Sequence, residues 1–326
     1  MTKPLVSIIT PCYNGEKTAH RMIESVLSQT YSPIEYIFIN DGSTDKTEEL
    51  FKSYLPKFEE KGIKVIYEYQ ENAGQSSAVN RGLKLFTGDY LSWADSDDFL
   101  FPESVEKRVE FLESHPDYAC VQSDAYMVKE NDIDNPYKRI SEGFPHSANE
   151  NQFELCLTGQ CYIGATHCFM VRRSAFLEAI PSLNIYTGRK EQNWQLFLPI
   201  YYKHKRYFLN EPLCSYVVSQ TSHSHSKLTT EKAIDRANGY IDILSHTLKS
   251  IDMPKEERDR YMNIVLNIYA RKKLYLCVDN GDKILAKKEL ETLKKIGTVK
   301  FRDKFAYAAV RSNLIKAFYK LAKKVF

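Results

Sequence analysis

Residues 89–98 read DYLSWADSDD. Tyr90–Ala94 has the short, apolar, aromatic-rich character of a buried strand, and three carboxylates follow at once: Asp95, Asp97 and Asp98. Open parallel sheets bind ligands at the carboxyl ends of their strands. Asp95 and Asp97 alternate, so they can aim two oxygens at one hard divalent ion and leave positions for phosphate oxygens. The plainer alternative is an acid-decorated helix N-terminus, because a helix begins soon after Asp98.

Outward from this stretch the strand–helix order repeats. Leu5–Thr10 (LVSIIT) predicts a strand, and Ala19–Gln29 a helix with Ile23, Val26 and Leu27 on one face. Glu35–Asn40 and Ile63–Glu68 predict strands; residues 45–61 predict one helix and Gln75–Phe86 another. Pro102 opens a helix that His115-Pro116 stops, and Tyr118–Val128 is the next strand. Such alternation predicts an α/β fold with a mostly parallel sheet. Residues 130–155 are polar and irregular and predict a surface loop. Thr166–Val171 and Leu213–Val218 then read as strands, and Ser174–Ile180 and Gln192–Tyr202 as helices. From about Thr230 the pattern is helical, and Asn280-Gly281 ends one long helix.

Three further strand ends carry small or amide residues: Pro11-Cys12-Tyr13-Asn14-Gly15, Asn40 to Asp45, and Glu71-Asn72-Ala73-Gly74-Gln75. Backbone N–H groups there can meet an anion or a base. Each alone is ordinary turn chemistry. Their common place at carboxyl strand ends predicts one site shared with the aspartates.

The runs VSIITPCYNG, IFINDGSTDKT, ENAGQSSAVNRG and DYLSWADSDD together resemble family 2 glycosyltransferases, specifically over residues 4–101 and more weakly to about residue 220. The resemblance implies a GT-A type nucleotide-binding domain with a mostly parallel mixed sheet over residues 1–222. Residues 1–128 would form its nucleotide-sugar-binding half and 129–222 its acceptor half; residues 223–326 would form a helical C-terminal region. It implies a hexosyltransferase-type enzyme, usually inverting, that uses Mn²⁺ or Mg²⁺. The donor would be a nucleotide diphosphate sugar, a UDP-sugar by expectation, and the acceptor a saccharide or lipid-linked saccharide in bacterial surface polysaccharide synthesis. By the same likeness Pro11, Tyr13 and Asn14 would line the nucleoside pocket, and Asp41 would bond a base edge. Asn72 and Gly74 would border the ribose and phosphates, Asp95 and Ser96 would sit on the ribose or metal side, and Asp97 would bind the metal.

The chain departs from the family pattern at the expected base, where Glu-Asp normally precedes a Leu by two residues. Aligned on Leu196, those positions hold Gln192-Asn193, and an amide cannot accept the proton. Glu191 is the nearest carboxylate and is placed ahead of Asp124 as the base; its plain reading is an exposed acid at a helix start. In Ser222-His223-Ser224-His225-Ser226, either His223 or His225 could complete the metal site, or both could be solvated. His167 could face the acceptor, although an ordinary strand histidine reads more naturally.

Charge is unevenly spread. Residues 283–326 hold 13 Lys/Arg against 3 acids, whereas residues 1–282 hold 32 against 39. In the tail Val310, Leu314, Ala317, Phe318, Leu321 and Val325 fall on one helical stripe, with Lys316, Lys320 and Lys323 opposite. That pattern suits a peripheral contact of residues 301–326 with an anionic membrane surface, and equally a helix packed on its own domain. The acidic body disfavours nucleic acid. Seven cysteines without a Cys-x-x-Cys pair predict neither a disulfide framework nor a structural zinc site. Met-Thr-Lys-Pro leads straight into a strand, so the expectation is a reduced, cytoplasmic chain. The rival readings are a nucleotide-sugar-binding protein without catalysis and a sugar nucleotidyltransferase, whose Gly- and Arg-rich phosphate loop is missing after the first strand.

Overall fold

The apolar run near the N-terminus forms strand β1 (Val6–Cys12), every residue of which is buried. An unbroken apolar strand is what a parallel sheet covered on both faces requires. In this computed structural model, residues 2–162, 165–188, 192–219 and 228–322 are described. The chain divides into two compact units, Met1–Ser222 and His223–Phe326.

The first unit is built on a mixed sheet. Its strands are β1, β2 (Ile34–Asp41), β3 (Lys64–Gln70), β4 (Tyr90–Trp93), β5 (Phe99–Leu100), β6 (Cys120–Lys129), β7 (Lys138–Arg139), β8 (Phe169–Arg172) and β9 (Arg206–Val218). They lie in the order β3-β2-β1-β4-β8-β6-β9-β5, with β7 on β6. The first four are mutually parallel. β8 runs antiparallel to both β4 and β6, and β6 and β9 pair in parallel. Register sets the site: Cys12 pairs with Asn40, and Asp41 with Gln70, so the exits of β1, β2 and β3 share one edge. Ile9 pairs with Trp93, which brings the aspartates after β4 to the same edge.

Helices α1 (Ala19–Leu27), α4 (Gln75–Leu83) and α5 (Ser104–Ser114) follow the expected spans. The single helix expected over 45–61 is two, α2 (Thr47–Ser53) and α3 (Leu55–Glu60), with Pro56 in the first turn of the second. Proline has no N–H to give and fits best in the first turn of a helix. The order of helices continues with α6 (Phe153–Leu157), α7 (Arg173–Ala179) and α8 (Asn193–Lys203).

Several expectations are corrected beyond residue 130. Thr166–Cys168 is a 3₁₀ turn that leads into β8, not strand. β9 is 13 residues long and begins at Arg206, seven residues before its apolar part. Cys156 and Cys161 are joined in a disulfide, because the turn after α6 brings their Cα atoms to 4.9 Å. The other five cysteines are free and buried.

The second unit holds helices α9 (Thr230–Ser250), α10 (Lys255–Asn280), α11 (Lys283–Lys295), α12 (Phe301–Arg311) and α13 (Asn313–Ala322). Gly281, at φ 75°, ends α10 in the left-handed conformation, and the Asp282 side chain caps α11 through Leu285 N–H. Leu274, Cys277, Leu293, Ala306 and Val310 form its core. The tail stripe is not continuous: a break at Ser312 leaves Val310 buried in α12, while Leu314, Phe318 and Leu321 of α13 are exposed. Val325 and Lys323 lie outside the described residues. No described helix is long and apolar enough to cross a membrane.

Candidate active site

The four strand exits are tied to one another by short polar side chains. Asn14 sits at φ 52°, a left-handed conformation that asparagine tolerates. Its amide N–H donates to Ser43 Oγ at 2.9 Å, and its Oδ1 accepts Thr44 N–H at 2.8 Å. Gly15 N–H donates to Thr47 Oγ1 at 2.7 Å. The PCYNG and DGSTDKT loops are therefore one construction.

Asp41 joins the second loop to the third. It is 2% exposed, and its carboxylate accepts Gln70 Nε2 at 2.6 Å, Ala73 N–H at 3.0 Å and Gly74 N–H at 2.9 Å. Asn72 Nδ2 donates to the Asp41 carbonyl at 3.0 Å. Two glycines make this approach feasible. A Cβ on Gly42 would stand 2.5 Å from the Asn72 nitrogen, and Gly74 has φ 91° as it opens α4.

The third loop reaches the fourth through Gln75, whose Nε2 donates to Asp95 Oδ1 at 2.7 Å. Thr166 Oγ1 approaches Asp95 Oδ2 at 3.3 Å. Asp98 turns inward, with Oδ1 accepting Val217 N–H at 2.8 Å and Oδ2 standing 3.1 Å from His167 Nδ1. Asp97 points outward and is exposed; Arg21 holds only its main-chain carbonyl, at 3.3 Å. Its carboxylate is thus the one of the three that accepts no hydrogen bond from another described residue.

Electrostatics agree with this division. Burial, then the charges of Asp98 and Asp97, push Asp95 up to about 7. Loss of solvent and the charge of Asp98 push Asp97 up to about 6. Because Asp97 is exposed, the like-charge part carries the argument there. Carboxylates that raise one another in this way are relieved by a cation. An outward Asp97 beside an anchored Asp95 fits a hard divalent ion that also takes phosphate oxygens.

The structure thus brings Pro11, Tyr13, Asn14, Asp41, Asn72, Gly74, Asp95, Ser96 and Asp97 to one edge. Pro11 is buried beneath it, and Tyr13, 52% exposed, stands above it. Glu191, His223 and His225 lie outside the described residues. Gln192 and Asn193, at the expected base positions, are buried at the start of α8. Asp124 is a structural anchor: Ala125 N–H, Ser141 N–H and Oγ, and Arg139 Nε at 2.6 Å all donate to it. His167 is fully buried behind Asp98 and does not face an acceptor. Sequence reading missed Gln75 and Thr166, the residues that fix Asp95. Gln75 lies in a quoted motif, but nothing local pairs it with an acid 20 residues on.

A model of glycosyl transferase family 2 matches residues 7–179. An uncharacterized glycosyltransferase of Rickettsia typhi is 46% identical over 109 residues, 33% of this chain and 32% of that protein. The chain spans 32% of the length of that relative and of a second one from Rickettsia prowazekii, and 14% to 53% of others. Among solved structures, S. aureus TarS 1–349 in complex with UDP-GlcNAc has a TM-score of 0.66 at 16% identity, over 98% of this chain and 91% of that one. Mannosyltransferase PcManGT of Pyrobaculum calidifontis, in complex with GDP-Man and Mn²⁺, has a TM-score of 0.54 at 16% identity, over 99% and 89%. At such identity the likeness is one of fold: a GT-A type α/β unit followed by helices.

Proposed function

The chain belongs to glycosyl transferase family 2, and from that premise we propose that it moves a sugar from a nucleotide diphosphate donor, a UDP-sugar, to a saccharide or lipid-linked acceptor. The observation that carries the reading is the division of labour among the aspartates: Asp95 clamped, Asp98 turned inward, Asp97 unclaimed at the edge where four loops meet. Asp97, with Asp95 behind it, would hold Mn²⁺ or Mg²⁺. That ion, when bound, supplies Lewis-acid neutralisation of the leaving diphosphate.

The chain's own groups do the rest. Pro11, Tyr13 and Asn14 line the nucleoside side, and Asn72 and Gly74 border the ribose and phosphates. Asp41 has about four lone-pair sites, three of them already used, so one remains for an N–H of the base. The acceptor hydroxyl attacks the anomeric carbon as the bond to the diphosphate breaks, with inversion, and its proton passes to a carboxylate for which Glu191 is the candidate. The exposed apolar residues Leu314, Phe318 and Leu321 beside Lys320 support a peripheral contact of the tail with anionic lipid. The domain limits 1–222 and 223–326 belong to the same reading, as does a place in surface polysaccharide synthesis.

The test is a screen of UDP- and GDP-sugars for slow metal-dependent hydrolysis, which needs no acceptor. We expect release of nucleoside diphosphate from at least one UDP-sugar, dependent on Mn²⁺ or Mg²⁺ and lost in Asp97→Asn. No release and no donor binding in the wild type would reject the reading. The buried amides Gln192 and Asn193 favour one rival, a non-catalytic binder. Calorimetric binding of a donor, without turnover in the presence of glycan acceptors, would select it.

A further inference from the structure

Behind the aspartate loop lies a buried cluster that the donor site does not use. His167, Cys168 and Cys214 are 0%, 1% and 0% exposed. One ligand atom from each lies within 4.8 Å of the others. The two sulfurs are 2.9 Å apart. Neither ring nitrogen of His167 has an aligned hydrogen-bond partner among the described residues, although Nδ1 stands 3.1 Å from Asp98 Oδ2. Buried polar groups are almost always satisfied, and an unsatisfied one marks an ion, a water or a chemical role.

Arg108 adds a second observation. It is fully buried, and its guanidinium donates only to neutral oxygens: the Ser104 carbonyl at 2.9 Å, the Ser104 hydroxyl and the His167 carbonyl at 2.8 Å. The contact with the His167 carbonyl sets the guanidinium against the segment that carries Cys168. A buried arginine with no carboxylate calls for negative charge nearby, and thiolates would provide it.

We propose that His167, Cys168 and Cys214 form a second metal site, for a thiophilic divalent ion with Zn²⁺ as its natural probe. His167 would bind through Nε2 while Nδ1–H faces Asp98, the arrangement in which a carboxylate orients a metal-bound imidazole. Two cysteine protons leave as the ion enters, so the two thiolates offset the charge of Zn²⁺. The fourth tetrahedral position falls to a water or to the Asp124 carbonyl, which is 3.7 Å from the Cys214 sulfur.

A disulfide is the competing outcome. Two thiolates on zinc stand roughly 3.8 Å apart, from a bond length of about 2.3 Å, and a disulfide needs about 2.05 Å. The observed 2.9 Å lies between them and does not decide. His167 Nε2 does, because a disulfide would leave it without the partner that an ion supplies. The inference counters the sequence expectation of no zinc site, and it stands apart from the donor reading.

The experiment loads full-length protein with Zn²⁺ or Co²⁺, removes excess metal by gel filtration, and measures bound metal and the cobalt spectrum. We expect about one tightly held equivalent and a near-ultraviolet thiolate-to-cobalt band. Both should persist in Asp97→Asn and be lost in Cys214→Ser. If Cys214→Ser does not fold, His167→Asn serves as the second variant, and the wild-type spectrum still decides. Absence of the thiolate band in folded wild type, or a Cys168–Cys214 disulfide found by differential alkylation and mass spectrometry, would overturn the site.

Discussion

The two halves of the sheet handle buried acids differently. In the β1–β4 half, Asp41 and Asp95 take donors from neighbouring loops and so join separate strand exits into one rim. In the β6–β9 half, Asp124 takes Arg139 and Ser141 from the chain just beyond its own strand and fixes an irregular connection. The first arrangement leaves an outward carboxylate, Asp97, that accepts no hydrogen bond from another described residue; the acid beside Asp124's partners, Glu142, is bound by Arg139 N–H. The same chemistry of a fixed carboxylate thus joins loops into a rim on one side and braces one connection on the other.

The sharpest way to break this contrast is Asp97→Asn. The variant should fold normally and lose about 100-fold or more of metal-dependent turnover, because the transition-state charge loses its cation. Retained turnover would remove the functional side of the comparison. Next, Asp124→Asn should lower stability by about 3 kcal/mol, the scale for breaking a buried charged pair. Chemical denaturation would measure it, and UDP affinity should be unchanged. A stable Asp124→Asn that lost only activity with a true acceptor would return Asp124 to the chemistry.

A smaller effect is expected at Asp41. Asp41→Ala should weaken UDP binding by about 1–3 kcal/mol in calorimetry and quicken proteolysis around residues 71–75. Normal binding beside a loosened loop would make Asp41 a brace like Asp124. The smallest effect is a pH dependence. Folded Asp95 and Asp97 are raised to about 7 and about 6, against about 3.9 when unfolded. Their contribution to stability is therefore full below about pH 4 and falls as pH rises towards 7. Metal-free protein should lose roughly a few degrees of melting temperature between pH 5 and 8, and Mn²⁺ should restore it. A flat metal-free profile would show that the carboxylates do not oppose one another.

What the sequence revealed follows the same division. β1 to β4 and their exits are written locally: apolar runs set the strands, and Gly42, Gly74 and Asn14 occupy the backbone positions that such turns demand. The other half depends on long-range pairing. Arg206–Pro212 lies before the strand expected at Leu213, and it is strand because Arg206 to Leu209 pair with Cys120 to Ser123, more than 80 residues away. Thr166–Cys168 has strand-like residues and turns instead, which carries Thr166 to Asp95 and His167 to Asp98. No spacing rule links Asp98 to His167 or Cys168 to Cys214. The break at Tyr54 between α2 and α3 has a local cause in Pro56, which the expectation of one helix over 45–61 passed over. Glu191, His223 and His225 remain proposals.

Asp41 holds the third loop mainly by the loop's main chain, through Ala73 N–H and Gly74 N–H. An anchor on backbone amides does not depend on which side chains the loop displays. Glu71 and Ala73 are exposed, so their side chains can be exchanged one at a time while the carboxylate clamp keeps the loop in place. Changes at those two positions then cost folding little, with Gly42 and Gly74 as the positions that cannot follow.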